Sequence, residues 1–247
     1  MMSLNDFVLS LMTGSGFPRC EHSGFKEACY QHWQSFWTEI YSTQNSEFKP
    51  SFSDFYRQDF ILALSHKSSP QIPIGLSCTS AYNIASDVNM NHHYLLFYDE
   101  DFRNHLLRKK IHQIMSSEYL SLNPEYRIKI GSIRVASLLI EATILFAKEI
   151  GFPHVVATAR ADNGTSHLCQ ELGYEVIQPA LQKRAFKVDT LHVDAKLRSP
   201  PDELKFRALT TAAQKLLATA TTTQDAELKK RFFLQISQAQ GPIRKSA

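Results

Sequence analysis

Apolar positions recur along this chain with two different periods, and the change of period marks its elements. Over residues 24–43, Phe25, Ala28, Cys29, Trp33, Phe36, Trp37, Ile40 and Tyr41 return at three- and four-residue steps, which predicts an amphipathic helix. Its aromatic stripe reads as core packing rather than as a ligand box. The apolar stretch 7–12 before it is broken by Thr13-Gly14-Ser15-Gly16, and 48–57, punctuated by Pro50, reads as a loop or short helix. Residues 59–65 and 72–82 are strand-like runs on either side of His66-Lys67-Ser68-Ser69-Pro70-Gln71, so they read as an antiparallel hairpin. A polar loop follows, then a third strand at 94–98 and a helix over 99–112 entered through Asp99 or Asp101.

The stretch 115–177 organises the rest. A strand over 115–122 is closed by Asn123-Pro124, and the turn 126–132 delivers the chain into a helix, 131–150, that is apolar nearly all round and therefore buried on more than one face. Gly151-Phe152-Pro153 ends that helix, and 154–159 reads as a strand centred on Val155 and Val156. Strand, helix and strand make a βαβ unit with parallel strands. The turn opening the helix is an anion site, because the first helical N–H groups lack partners and carry the positive end of the dipole. Asp162 or Asn163 caps a short helix that Gly173 terminates. In the first strand, alternation places Glu118 on the face of Leu120 and Leu122, opposite Tyr119 and Ser121. Glu118 is then either a wet strand-end residue or a base whose pKa is raised by apolar surroundings. Residues 175–177 and 185–197 read as two further strands.

Composition narrows the partners. The 247 residues are 43% hydrophobic with a net charge of +3, enough to bury a sizeable core. The basic residues are scattered, with Arg108-Lys109-Lys110 the one tight cluster, so nucleic acid is not an expected partner and that triplet reads as a solvated helix face. Cys20, Cys29, Cys78 and Cys169 lie far apart without a CxxC pair, and adjacent His92 and His93 point in different directions, so free thiols and no metal are expected. No run approaches the roughly 18 apolar residues of a membrane span. The N-terminus lacks the basic and apolar regions of a signal peptide, so a cytoplasmic location is expected.

Asn163, Ser166, Leu168, Glu171, Leu172, Gly173 and Tyr174 resemble the N-x-x-[AS]-x-x-L-[YC]-x-x-L-G-[FY] stretch of the GNAT superfamily of acyltransferases, allowing for a displaced Leu. Upstream, Leu122-Asn123-Pro124-Glu125-Tyr126-Arg127 resembles that superfamily's V-x-P-x-[YF]-R. The resemblance implies an α/β (α+β mixed) fold: a central mixed, mostly antiparallel sheet with a splayed parallel strand pair, flanked by helices. It implies acetyl-CoA or another acyl-CoA as donor, with the pantetheine between the splayed strands. The backbone of Leu120 and Leu122 and the side chain of Asn163, with Ser166 beside it, would hold the pantetheine. The turn Arg127, Ile128, Lys129, Ile130, Gly131 and Ser132 would hold the pyrophosphate. It implies attack of a small-molecule or protein amine on the thioester, with Glu118 or a bound water as base.

Two departures accompany the resemblance. The superfamily loop R/Q-x-x-G-x-G/A is represented by a turn with one glycine and one residue fewer, with Ile128 and Ile130 where backbone should approach phosphate. The usual acid, a Tyr four residues before the Gly of the G-[FY] pair, is replaced by Cys169, for which Tyr126, Tyr174 or His167 are alternatives. Divergent loops also occur in members that draw on acyl carrier protein, such as N-acyl amino acid and acyl-homoserine lactone synthases, where Arg108, Lys109 and Lys110 would dock an acidic carrier. A degenerate fold serving as a binding or regulatory module is the reading from another class. The expected organisation is a domain over 1–198, with a helical part at 1–57 and a sheet core at 58–198, and a helical extension at 199–247. That extension, two helices around Thr221-Thr222-Thr223, packs on the core, forms a homodimer or binds a partner.

Overall fold

The computed structural model describes residues 3–14, 23–44, 46–92 and 94–239. Ser15, Gly16, Cys20 and His93 lie outside the described residues. The elements in order are β1 (Phe7–Met12), α1 (Ser23–Ser42), α2 (Phe52–Tyr56), β2 (Phe60–His66), β3 (Ser69–Thr79), β4 (Ala81–Asn83), α3 (Asp87–Met90), α4 (Glu100–Arg108) and β5 (Gln113–Leu122). After these come β6 (Lys129–Ile130), β7 (Ile133–Arg134), α5 (Val135–Glu149), β8 (His154–Arg160), α6 (Thr165–Glu171), β9 (Glu175–Lys183), β10 (Phe186–Asp194), α7 (Glu203–Ala218), β11 (Thr221–Thr222) and α8 (Gln224–Ala239).

One mixed sheet runs β11-β1-β2-β3-β5-β8-β10-β9, with β4 also pairing β5. Its neighbours are antiparallel except β1 with β11 and β5 with β8. Side chains alternate across it: Met115 and Val155 join the cluster under α5, while Ile114 and Val156 face Tyr94, Tyr98 and Phe102 on the other side. Helix α5 is buried at most positions because the sheet lies on one side of it and α7 on the other, as its unbroken apolar sequence requires. Helix α1 covers the opposite face with Phe25, Cys29 and Trp33.

Several boundaries differ from the sequence expectation. The segment 94–98 is a 3₁₀ turn at Leu95–Phe97, not a strand; the Tyr94 ring packs on Tyr82 and the Tyr98 ring on Phe102. Helix α5 starts at Val135, four residues later than expected, because Lys129–Ile130 and Ile133–Arg134 pair as a two-residue hairpin around Gly131, whose φ is 62°. The N-terminal part is not purely helical, since β1 sits within the sheet. The C-terminal segment also supplies a strand, Thr221–Thr222, too short to leave a pattern in the sequence. Leu209, Ala213 and Leu216 of α7 are buried against α5, and Phe233 of α8 meets Phe60 and Phe152 with ring centroids at 5.7 and 5.5 Å.

Candidate functional site

The site begins where β5 leaves β8. The parallel pair is in register at Met115–Val155, Ser116–Val156 and Ser117–Ala157, and the pairing ends there. On its other edge β5 stays with β3, but the register shifts between Cys78–Glu118 and Leu76–Ser121. Tyr119 sits at that shift with φ 51°, a left-handed backbone that a bulky residue adopts only when its surroundings impose it. The bulge bends β5 after β3 and away from β8.

That bulge overturns the simple alternation expected around Glu118. Leu120 and Leu122 turn toward the α5 side, whereas Glu118 and Tyr119 both face α1 and α2. Glu118 is neither a wet strand end nor a carboxylate against bare hydrocarbon: it is 3% exposed and fully hydrogen-bonded. Its Oε2 accepts from Arg57 Nη2 at 3.0 Å and Gln58 Nε2 at 3.2 Å; its Oε1 accepts from Ser116 Oγ at 2.7 Å and Tyr82 Oη at 3.2 Å. Each oxygen thus has two donors.

Two cavities adjoin the splay. A groove of about 500 Å³ runs between the separated strands, walled by Leu120 and Leu122 of β5, Ala157 to Arg160 of β8, Phe36, Trp37 and Ile40 of α1, and Arg127, Asn163 and Cys169. A smaller pocket of about 80 Å³ is lined by Trp37, Tyr41, Tyr94, Glu118, Tyr119, Thr158, Arg160, Lys183, Arg184 and Phe186, among others. Trp37, Tyr119, Thr158 and Arg160 line both, so the two share a wall. The aromatic stripe of α1 therefore divides its work: Phe25, Cys29 and Trp33 are core, while Phe36, Trp37, Ile40 and Tyr41 face the cavities.

The expected donor residues are partly gathered here. Leu120, Leu122, Arg127, Asn163 and Cys169 line the groove. Asn163 Oδ1 accepts from the Thr165 N–H at 3.0 Å in a turn just before α6, leaving its amide NH₂ as the donor available to a ligand; the N-cap of α6 is Gly164, at φ 80°, and not Asp162 or Asn163 as expected. Ser166 lies elsewhere: its hydroxyl donates to Asp189 of β10 at 2.5 Å, and it is buried. The turn residues beyond Arg127 are carried away by the hairpin. Lys129 and Ser132 line a separate cavity of about 220 Å³ with Arg134, Lys205 and Phe206, while Ile130 and Gly131 face α7. The first helical N–H, that of Val135, bonds to Ile128 O at 3.3 Å. The thiol of Cys169 is buried and pushed up to about 12 by burial, which makes it a poor proton donor. Of the three alternatives, Tyr174 is buried and held well above its usual range by burial, and His167 is exposed beside Glu171.

Arg57, Gln58, Tyr82 and Lys183 enter the site without any signal in the sequence. Arg57 ends, and Gln58 follows, the aromatic segment read as a loop or short helix, which holds α2; Lys183 ends β9 and Arg184 opens the turn to β10, where cations are ordinarily solvated. Burial pushes Lys183 down to about 7, with Arg184 and Arg57 acting in the same direction and Glu118 opposing them. Its Nζ donates to Thr158 Oγ1 at 2.9 Å on the shared wall. Lys109, of the basic triplet, lines a cavity with His154 at the opposite end of β8 from the groove.

The architecture as a whole superposes on solved structures. The fold is GNAT-like. An N-acyl amino acid synthase, FeeM, from uncultured soil microbes superposes with a TM-score of 0.53 at 12% identity, over 85% of this chain and 96% of that one. A CoA-dependent acyl-homoserine lactone synthase, BjaI, gives 0.56 at 11% identity, over 92% and 99%. A polyamine N-acetyltransferase from Drosophila melanogaster gives 0.54 at 11% identity, over 76% and 100%. No protein-family model matches the sequence, and no curated protein does. The GNAT-like likeness thus rests on architecture, and at these identities it establishes the fold alone. Among the described residues, no three His, Cys, Asp or Glu side chains converge on a point able to hold a metal ion, and no helix is long and apolar enough to cross a membrane.

Proposed function

We propose that the protein is an N-acyltransferase that moves an acyl group from a pantetheine thioester, acyl-CoA in the first instance, to an amine. The observation that carries this reading is the groove between the separated ends of β5 and β8. Leu120 and Leu122 offer backbone edges that β8 no longer pairs, and the Asn163 amide and Arg127 guanidinium stand on the same groove. A pantetheine laid there adds to β5 as a strand would, with its thioester at the wall formed by Tyr119 and Thr158. The amine nitrogen attacks the carbonyl carbon, the C–N bond forms as the C–S bond breaks, and the nitrogen gives up one proton while the departing thiolate takes one up. The GNAT-like neighbours include enzymes named for CoA, for acyl amino acids and for polyamines, which supports acyl transfer without choosing an acceptor.

Isothermal titration of acetyl-CoA and octanoyl-CoA tests the donor, and thiol release in the presence of an amine panel tests transfer. Saturable binding of at least one acyl-CoA is expected. Absence of binding at millimolar ligand removes the acyl-CoA reading. A carrier-linked thioester is then the second reading, favoured by the pairing of Lys129–Ile130 with Ile133–Arg134, which carries that turn away from the groove that a nucleotide donor would occupy. Acyl-pantetheine binding without acyl-CoA binding is its signature. Binding of neither would leave the degenerate module.

A further inference from the structure

The smaller pocket is more sharply defined by charge than by size. Three cations line it, Arg160, Lys183 and Arg184, against one carboxylate, Glu118, and that carboxylate is already met by a fourth cation, Arg57, at 3.0 Å. Arg160 reaches Asp162 with two bonds of 2.8 and 2.9 Å, and its guanidinium carbon stands 4.3 Å from the centre of the Phe186 ring. The guanidinium carbon of Arg184 lies 3.2 Å from the centre of the Phe48 ring, and its Nη1 reaches Tyr41 Oη at 3.5 Å. Rings thus back both guanidinium groups, which restricts them on the pocket wall.

The backbone points to the same place. The non-glycine residues with left-handed φ include Tyr119 at 51° and Arg184 at 53°, and both line this pocket. Each such conformation costs on the order of 1 kcal/mol, imposed on Tyr119 by the β5 bulge and on Arg184 by the two-residue turn between β9 and β10. The volume of about 80 Å³ holds a few water-sized groups, each occupying roughly 30 Å³, and so suits a carboxylate with the carbon that bears it.

We propose that the acyl acceptor is an amine carrying a carboxylate, which docks against Lys183 and Arg184 while its amine turns to the wall at Thr158 and Tyr119. This inference rests on the acyl-transfer reading for the role of the amine, though not for the binding of the carboxylate. An Arg–carboxylate contact in a sheltered site is strong and directional, and a polyamine would bring a second positive charge to a wall of cations. A carboxylate between Lys183 and Arg184 also favours the charged form of Lys183 and so opposes the effect of its burial.

Acceptor binding is measured by titration calorimetry on the whole protein with no thioester present, so the result stands apart from donor binding. Glycine, L-leucine and L-phenylalanine are each compared with the amide and the decarboxylated amine of the same skeleton. The expected outcome is that at least one amino acid binds about tenfold or more tightly than both its analogues, the scale of one charge-assisted contact. In Arg184→Gln, its melting temperature checked first, that preference falls to about twofold while the weak binding of the decarboxylated amine is retained. Equal binding within every series, preference for the amines, or no binding by any of these probes overturns the proposal. Retention of the full preference in both Arg184→Gln and Lys183→Gln overturns the placement of the carboxylate.

Discussion

Arg57 and Glu118 meet at 3.0 Å across 61 positions of sequence, with Glu118 1% and Arg57 16% exposed in their side chains. The pair ties the segment after α2 to the bulged strand and fixes the floor of the smaller pocket. Removing Arg57 alone leaves a buried carboxylate without its countercharge, a change that costs about 3–5 kcal/mol in comparable sites. Arg57→Met is therefore expected to lower the urea midpoint steeply, and Glu118→Gln in the same background to restore part of it. If the two substitutions add without coupling, the pair is not the fastening described here.

Cys169 stands on the groove, yet its thiol is held up to about 12 by burial and stays protonated through the working range. A donor that weak gives its proton uphill to a departing thiolate. Cys169→Ala should leave kcat within about twofold and cost about 1–2 kcal/mol of stability through lost packing. In the folded protein iodoacetamide should not label it. A kcat loss of a hundredfold without a change in melting temperature would return Cys169 to the chemistry.

The periodicity of residues 24–43, 131–150 and 154–159 was enough to place the helices and the parallel strand of the site, because burial on a sheet imposes those periods directly. The Asn163–Tyr174 segment is assigned to the donor site by its resemblance to an acyltransferase motif, and Asn163 and Cys169 do line the groove, whereas the capping expected of Asn163 falls to Gly164. The local signals failed where a bulge intervened. Alternation put Glu118 with Leu120 and Leu122, and the left-handed Tyr119 undoes that in one step. The hairpin 129–134 was equally hidden, since Ile-Gly-Ser-Ile reads as a loop until its ends pair. Arg57 and Lys183 owe their positions to contacts far along the chain, which no window of neighbouring residues contains.

Lys183 supplies a test by pH. Its ordinary value of 10.5 is lowered to about 7, foremost by burial, with Arg184 and Arg57 adding to the shift and Glu118 working against it. Between these values the unfolded chain holds a proton that the folded chain does not, so stability rises with pH across that window. Below it the folded protein carries the full cost of a sheltered ammonium. Lys183→Met should accordingly stabilise the fold most at pH 6, with the gain shrinking by pH 9.5. Urea unfolding at both pH values measures this, and an equal gain at both would show that Lys183 titrates normally.

Arg127 and Gly131 lie in one turn but face different cavities, the groove and the side toward α7 respectively. Arg127→Met should raise the KM for acyl-CoA about tenfold, the scale of one charge-assisted phosphate contact, with kcat little changed. Gly131→Asp, where a side chain meets open space, should leave that KM within about twofold, as should Gly131→Asn. A rise with Asp but not with Asn would mean that donor phosphate reaches the hairpin tip.

The C-terminal segment is fastened by charge as well as by apolar contact. Arg198 Nη1 and Nη2 reach the two oxygens of Glu141 at 2.7 Å each, both side chains nearly inaccessible, and Thr210 Oγ1 of α7 donates to the same carboxylate at 2.9 Å. Gly173, at φ 88°, passes so close that a Cβ there would stand 3.0 Å from Arg198 Cβ. Truncation before residue 203 removes Thr210, uncovers α5 and strips β11 from β1. The truncated chain should thus lose its cooperative unfolding transition rather than behave as an independent core. Arg198→Met should cost about 3–5 kcal/mol in the full chain, since Glu141 is left buried with a single hydroxyl partner. Gly173→Ala should cost less, about 1–2 kcal/mol, from backbone strain and displacement of Arg198. A truncated protein with an unchanged melting temperature would separate the segment from the fold.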